Sequence, residues 1–151
     1  MNPQQKIPAT ATIRPMETKD IDAVFEIYRS LVGEERAVID ADMIAADLEK
    51  TPDFSFVADA GGEVLGFLVA RQTYIGEPAV GACLIQGLGV HPLFQRRGLA
   101  TRLVNVLADT SRSRGIKTLR VMLNERDSRT EGFFKRMNFN RARLIVYDMV
   151  L

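Results

Sequence analysis

Tryptophan is absent from this 151-residue sequence, and cysteine and histidine occur once each, as Cys83 and His91. A single thiol excludes an intramolecular disulfide and a multi-cysteine zinc site. A single imidazole makes a histidine-built metal centre improbable, so no metal is expected. No apolar run approaches the roughly 18 residues that cross a bilayer. Met1-Asn2-Pro3-Gln4-Gln5-Lys6 lacks the apolar core of a secretory signal. The expectation is a cytoplasmic chain with no membrane partner. Aromatic residues make up only 7% of the chain and no nucleic-acid motif is present, so no nucleic-acid partner is expected.

What is present is an uneven charge. Residues 1–95 carry 7 basic and 14 acidic side chains, residues 96–143 carry 13 and 4, and Asp148 brings the total to +1. A basic half beside an acidic half suits an anionic ligand held by the C-terminal part, although scattered solvated charges give the same sum.

The hydrophobic pattern predicts ten elements in the order β-α-α-β-β-β-α-β-α-β. Ala11 to Met16 reads as a strand. Thr18 is placed to cap a helix over Lys19 to Leu31, where Ile21, Val24, Phe25, Tyr28 and Leu31 recur at helical spacing. A second helix runs from Asp40 or Asp42 to Lys50. Strands follow over Phe54–Ala58, Glu63–Tyr74 and Ala79–Val90, with Gly61-Gly62 as a hairpin turn. Gly87 and Gly89 inside the last of these mark a bulge or a close approach. The clearest helix extends from Gln95 to Arg114 with Leu99, Leu103, Val106 and Leu107 as its apolar stripe. Thr118–Leu123 is a strand, Asp127 or Ser128 caps a helix to Met137, and Leu144–Val150 is a last strand. The chain divides into a tail, 1–10, and a single domain, 11–151.

The segment Leu88 to Thr101 carries the chemistry. It reads as a strand, a loop containing Gln95-Arg96-Arg97-Gly98, and a helix start with Leu99, Ala100 and Thr101. The first turn of a helix leaves N–H groups without partners, and the helix dipole adds positive potential there. A diphosphate accepts those hydrogens without a metal. Gly98 lets the phosphates approach the amides, Arg96 and Arg97 add charge, and Thr101 adds a hydroxyl. An ordinary helix start that happens to contain glycine is the plain alternative.

In order and spacing the chain resembles the GNAT acetyltransferase superfamily. Gln95, Gly98 and Ala100 match its central motif, and Ile13-Arg14-Pro15 with Asp20 looks like its first strand and helix. Leu88-Gly89-Val90-His91-Pro92 looks like the end of its fourth strand. Phe134-Lys135-Arg136-Met137-Asn138-Phe139 falls where the family often has a tyrosine followed by a Gly-Phe pair, and Tyr147 and Met149 resemble its final strand.

The resemblance implies a single mixed, mostly antiparallel sheet of six to seven strands flanked by about four helices, with the fourth and fifth strands splayed apart. It implies an acetyl-CoA-dependent N-acetyltransferase moving an acetyl group to a primary amine of a small molecule or peptide. Direct attack would take place in a ternary complex. Acetyl-CoA would lie along the backbone of Leu88, Gly89 and Val90, with its pyrophosphate on the amides of Arg96 to Thr101. Gln95, Asp127 and Phe134 complete the cofactor set, and Arg126, Arg129 and Lys135 are available to its 3′-phosphate. Phe134 stands where many relatives have a tyrosine that protonates the leaving thiolate. Glu77 and Tyr147 are therefore the catalytic candidates, with Tyr74, Glu125 and His91 behind them. Glu34, Glu35, Asp40, Asp42, Asp47 and Glu49 make an acidic roof for a cationic acceptor, or a solvated helix face. The alternative function is a non-catalytic acyl-CoA-binding or sensing module. A homodimer through the last strand or the acidic helices is a further expectation.

Overall fold

The computed structural model describes residues 11–33, 41–75 and 80–151. Its elements are β1 (Thr12–Pro15), α1 (Ile21–Val32), α2 (Ala41–Lys50), β2 (Phe56–Ala60), β3 (Glu63–Ile75), β4 (Val80–Val90), α3 (Leu99–Ser113), β5 (Leu119–Val121) and α4 (Ser128–Arg136). Residues 1–10, 34–40 with Glu34, Glu35 and Asp40, and 76–79 with Glu77 lie outside the described residues.

The strands form one sheet in the order β1-β2-β3-β4-β5. The first four pair antiparallel, and β5 pairs parallel to β4. The mixed, mostly antiparallel sheet and its four helices agree with the sequence reading. The strand number does not: five strands are described, not six or seven. The missing strand is the expected Leu144–Val150, which pairs with nothing among the described residues. Its side chains alternate as a strand's should, but a strand exists only when a neighbour accepts its backbone hydrogen bonds. Periodicity within the segment cannot supply that neighbour.

Helices cover both faces of the sheet. On one side α1 and α2 bury Ile21, Val24, Ile27, Ile44 and Leu48 against Val57, Phe67 and Val69. On the other, Leu103, Val104 and Leu107 of α3 and Phe134 of α4 pack on Leu68, Ala70, Cys83 and Ile85. Coverage on both faces explains why β2 begins with three buried residues in a row, Phe56, Val57 and Ala58. Each large side chain buried here contributes roughly 1.5–3 kcal/mol.

The start of α1 is set by a carboxylate. Asp20 accepts the N–H of Glu17 at 2.8 Å, so Thr18 opens a short 3-10 turn, Thr18–Asp20, and does not act as the cap. Arg14 on β1 donates both terminal nitrogens to Asp20 at 2.8 Å and its Nε to Asp59 on β2 at 3.0 Å. Asp20 is only 4% exposed. Hydrogen bonds from Arg14 hold both carboxyls below the ordinary aspartate value.

Two irregularities shape the site. Val69 pairs with Gly87 but Ala70 pairs with Ile85, so Gln86 is the extra residue of a bulge in β4. The bulge changes phase: Cys83 and Ile85 face the α3 core before it, and Leu88 and Val90 face that side after it. The second concerns the head of α3, which starts at Leu99, four residues later than the expected Gln95. Arg96 and Gly98 have φ of 61° and 84°. These left-handed conformations cannot continue a right-handed helix.

Candidate functional site

Beyond Ile85 the fourth and fifth strands part. Their ladder is limited to Cys83–Ile85 against Leu119–Val121, with Cys83 N–H donating to Thr118 O at 2.9 Å. From Gln86 to Val90, β4 keeps β3 on one side and has no strand on the other among the described residues. A run of backbone donors and acceptors therefore faces an opening of about 1050 Å³. Leu88, Gly89 and Val90 line one wall and the head of α3 another. α4 and the end of α1 complete the enclosure.

The loop at the head of α3 is held from within the chain. Gln95 Nε2 donates to Val90 O at 3.1 Å, tying the loop to the end of β4. His91 Nδ1 accepts the Leu93 N–H at 3.2 Å, and Pro92–Phe94 forms a 3-10 turn. His91 is thus a turn residue, its ring edge on Phe94. Arg102 N–H donates to Gly98 O at 3.0 Å. That bond starts the helical ladder, so the amides of Leu99, Ala100 and Thr101 precede it without intrahelical acceptors. A Cβ built on Gly98 meets no protein atom within 4 Å. The positive φ favours glycine here, and the space beside it is open to the cleft.

Of the residues expected at a cofactor site, Leu88, Gly89, Val90, Gln95, Arg96, Gly98, Leu99, Ala100, Thr101, Asp127 and Phe134 line this one opening. Arg97 does not line it. Asp127 caps α4, accepting from Thr130 N at 3.0 Å and Thr130 Oγ1 at 2.6 Å. Those bonds hold its carboxyl below the ordinary value. Phe134 is buried, edge-on to Phe133 and Phe139 at 5.1 and 5.0 Å. Arg129 lines the cleft, whereas Lys135 is paired with Glu131 at 3.2 Å.

The catalytic candidates fare differently. Glu77 lies outside the described residues. Tyr147 is 89% exposed and does not line the cleft of its own chain. Tyr74 is exposed and accepts from Gln72. Cys83 is buried beneath α3, and burial pushes its thiol up to about 11, which suits packing and not nucleophilic chemistry. Among the acidic residues of α2, Asp42 and Glu49 are exposed and Asp47 approaches Arg71 at 4.0 Å. At the described end of α1 the cleft is bordered by the apolar Leu31 and Val32.

Sequence reasoning missed Gln86, Met122, Leu123, Leu31, Val32 and Arg136 as lining residues. One signal was available for the last. Arg129, Gly132, Phe133 and Arg136 recur at helical spacing on α4, and all four face the cleft. Gly89 shows why the strand needs glycine. A Cβ there would lie 2.7 Å from both Leu31 Cδ1 and Phe67 Cε1, so the close approach is by side chains from α1 and β3.

The sequence model of the acetyltransferase (GNAT) family matches residues 21–139, a span containing the whole cleft-lining set. An acetyltransferase from Pectobacterium atrosepticum is 28% identical over 96 residues, covering 64% of each chain. This chain thus spans just under two-thirds of that relative's length. The ribosomal-protein-alanine N-acetyltransferase from Brucella melitensis biovar Abortus superposes with a TM-score of 0.72 at 17% identity, covering 93% of this chain and 99% of that one. AAC(6′)-Iy, solved with the bisubstrate analog CoA-S-monomethyl-acetylneamine, gives a TM-score of 0.73 at 20% identity with the same coverage. The parted strands, the left-handed glycine at the head of α3 and the matched sequence agree: the chain belongs to the acetyltransferase (GNAT) family.

Proposed function

We propose that the chain is an acetyl-CoA-dependent N-acetyltransferase that acts on a primary amine of a small molecule or peptide. One observation carries the reading. The unpaired edge of β4 and the unpaired amides of Leu99, Ala100 and Thr101 face the same cleft. That pairing of features suits a ligand with a peptide-like arm ending in a diphosphate. Acetyl-CoA would supply an activated acyl group as a thioester.

The chain's own contributions follow from the geometry. Backbone groups of Leu88, Gly89 and Val90 would orient the arm as an added strand would be oriented. A fixed N–H near Leu88 would polarise the acyl carbonyl, since a donor already in place needs no reorganisation during reaction. Arg96 and Arg129 border the same cleft and would favour an anionic ligand. The attacking amine must be neutral. An α-amino group, with a pKa of about 8, needs less help to lose its proton than a lysine-like amine at about 10.4. Glu77 remains the proposed base. Phe134 cannot donate a proton and Tyr147 stays outside the cleft of its own chain, so the departing thiolate would take its proton from water. The fold relatives include a ribosomal-protein-alanine N-acetyltransferase and an enzyme solved with an acetylneamine-based bisubstrate analog, so both peptide and small-molecule amines fit this reading.

Titration calorimetry with acetyl-CoA, CoA and ATP tests the binding step. The first two should bind and ATP should not at comparable concentration. Gly98→Glu should weaken acetyl-CoA by roughly a hundredfold, about 2.7 kcal/mol, whereas Gly98→Asn, which tolerates a left-handed backbone, should lose far less. Unaltered affinity in a folded Gly98→Glu chain would remove the reading. A second reading, a non-catalytic acyl-CoA sensor, draws on the buried Phe134 and on Asp127, whose carboxylate is engaged by Thr130. Thiol release from acetyl-CoA with a panel of amines separates the two.

A further inference from the structure

The cleft passes through the sheet, and its two sides differ in chemistry. Gly87 and Gly89 lie opposite Val69 and Phe67, which belong to the core beneath α1 and α2. Residues directly opposite in a ladder share a face, so β4 presents backbone without side chains to the α1 side. Leu88 and Val90 face the α3 side. The ladder with β5 stops after Ile85. Past that point the lining draws on both faces, with Leu31 and Val32 from α1 and Phe133 and Phe134 from α4.

Charge keeps to one of these sides. The charged side chains among the described lining residues are Arg96, Asp127, Arg129 and Arg136. All lie at the head of α3 or on α4 and its cap. Exposed apolar surface gathers away from them, at the end of α1 and just past β5. Six large hydrophobic side chains described before residue 144 are exposed, and three of them, Leu31, Met122 and Leu123, border this cleft. Met122 is 65% exposed. Hydrocarbon concentrated on a concave wall is a surface for an apolar ligand.

We infer that the acceptor is a small primary amine on an uncharged hydrocarbon body, with that body against Leu31, Val32, Met122 and Leu123. This assignment rests on the acetyl-transfer reading, in which the donor is held on the α3 and α4 side. Its acyl carbon then lies in the gap between the strands, and the amine comes from the remaining side. A hydrocarbon body gains by leaving water there. A second ammonium or a carboxylate on the same body would be stripped of water against apolar side chains. The same wall disfavours the ammonium form of the attacking nitrogen and so favours the neutral form that reacts. The N–C bond forms as the C–S bond breaks, the electron pair leaves with sulfur, and the surplus amine proton goes to the base.

Three amines of similar length test the assignment. Hexylamine, cadaverine and 5-aminopentanoate end in a methyl, an ammonium and a carboxylate. Thiol release from acetyl-CoA should give hexylamine a kcat/KM at least about tenfold above either of the others. Met122→Glu should reverse the order of hexylamine and cadaverine, with Leu31→Glu as the second variant should the first fail to fold. A wild type that prefers cadaverine or 5-aminopentanoate, or that treats all three alike, overturns the inference. A second readout needs no turnover. With methionine methyls labelled with 13C, hexylamine should shift the Met122 signal, assigned from Met122→Leu, and cadaverine at the same concentration should leave it in place. A Met122 signal unmoved by hexylamine also overturns the inference. If hexylamine moves it in a chain that neither binds acetyl-CoA nor releases thiol, the apolar amine subsite stands and the transferase reading falls.

Discussion

The two margins of the sheet are built on opposite terms. At the β1 margin Arg14 joins two carboxylates on separate elements with three hydrogen bonds, and Met16 N–H reaches Ser55 O at 2.9 Å. At the β5 margin the ladder is three residues long, and both Gln86 Oε1 and Arg120 Nη1 are buried without partners. Buried polar groups in a settled core are paired. The β1 margin meets that rule, whereas these two atoms do not. The closed margin serves stability and the open one serves recognition.

Perturbing each margin should therefore give different readouts. The largest stability effect is expected at the closed margin. Asp20→Asn breaks a largely buried bidentate pair and should cost about 3 kcal/mol in urea denaturation, with cofactor affinity unchanged in the folded fraction. The same pair carries a pH signature. Asp20 and Asp59 titrate below their ordinary value when folded, so their stabilisation is complete above about pH 4 and fades as pH falls through the lowered values. Asp20→Asn should flatten the acid limb of a stability profile. An unchanged limb would mean that Arg14 does not hold the two elements together.

At the boundary between the margins, Gly89→Ala should cost about 2 kcal/mol. Its Cβ would press on the fully buried Phe67 ring as well as on Leu31, and overpacking of this kind falls in the range of 1–3 kcal/mol. Melting temperature reports the loss, and Phe67→Leu should relieve part of it. The smallest effect belongs to the open margin. Asp127→Ala removes the cap of α4 and should cost about 1 kcal/mol. A loss as large as that of Asp20→Asn would erase the contrast between the two sides.

How far the sequence reveals the fold depends on how local each cause is. The stripe Leu99, Leu103, Val106 and Leu107 is a property of one helix; the three leucines are buried and Val106 is partly buried. The motif Gln95, Gly98 and Ala100 likewise lies within six residues, and all three border the cleft. The start of α3 was misplaced because nothing about arginine announces a left-handed backbone at Arg96. The last strand was misread because its neighbour is not supplied by adjacent sequence. Leu31 and Val32 escaped notice because only packing brings the end of α1 over Gly89. Gly87 and Gly89 did announce an irregularity, but could not say that the inserted residue is Gln86.

That insertion has a consequence for how the cleft can be redesigned. The insertion offsets β4 against β3 by one residue at the point where the ladder between β4 and β5 ends, so chain length sets which side chains face the cleft. Replacing amino acids along the wall repaints the surface while the frame keeps its dimensions. Removing or adding a single position near Gln86 would instead turn every following side chain by half a revolution and resize the aperture itself, so indel libraries reach shapes here that point-mutation libraries cannot.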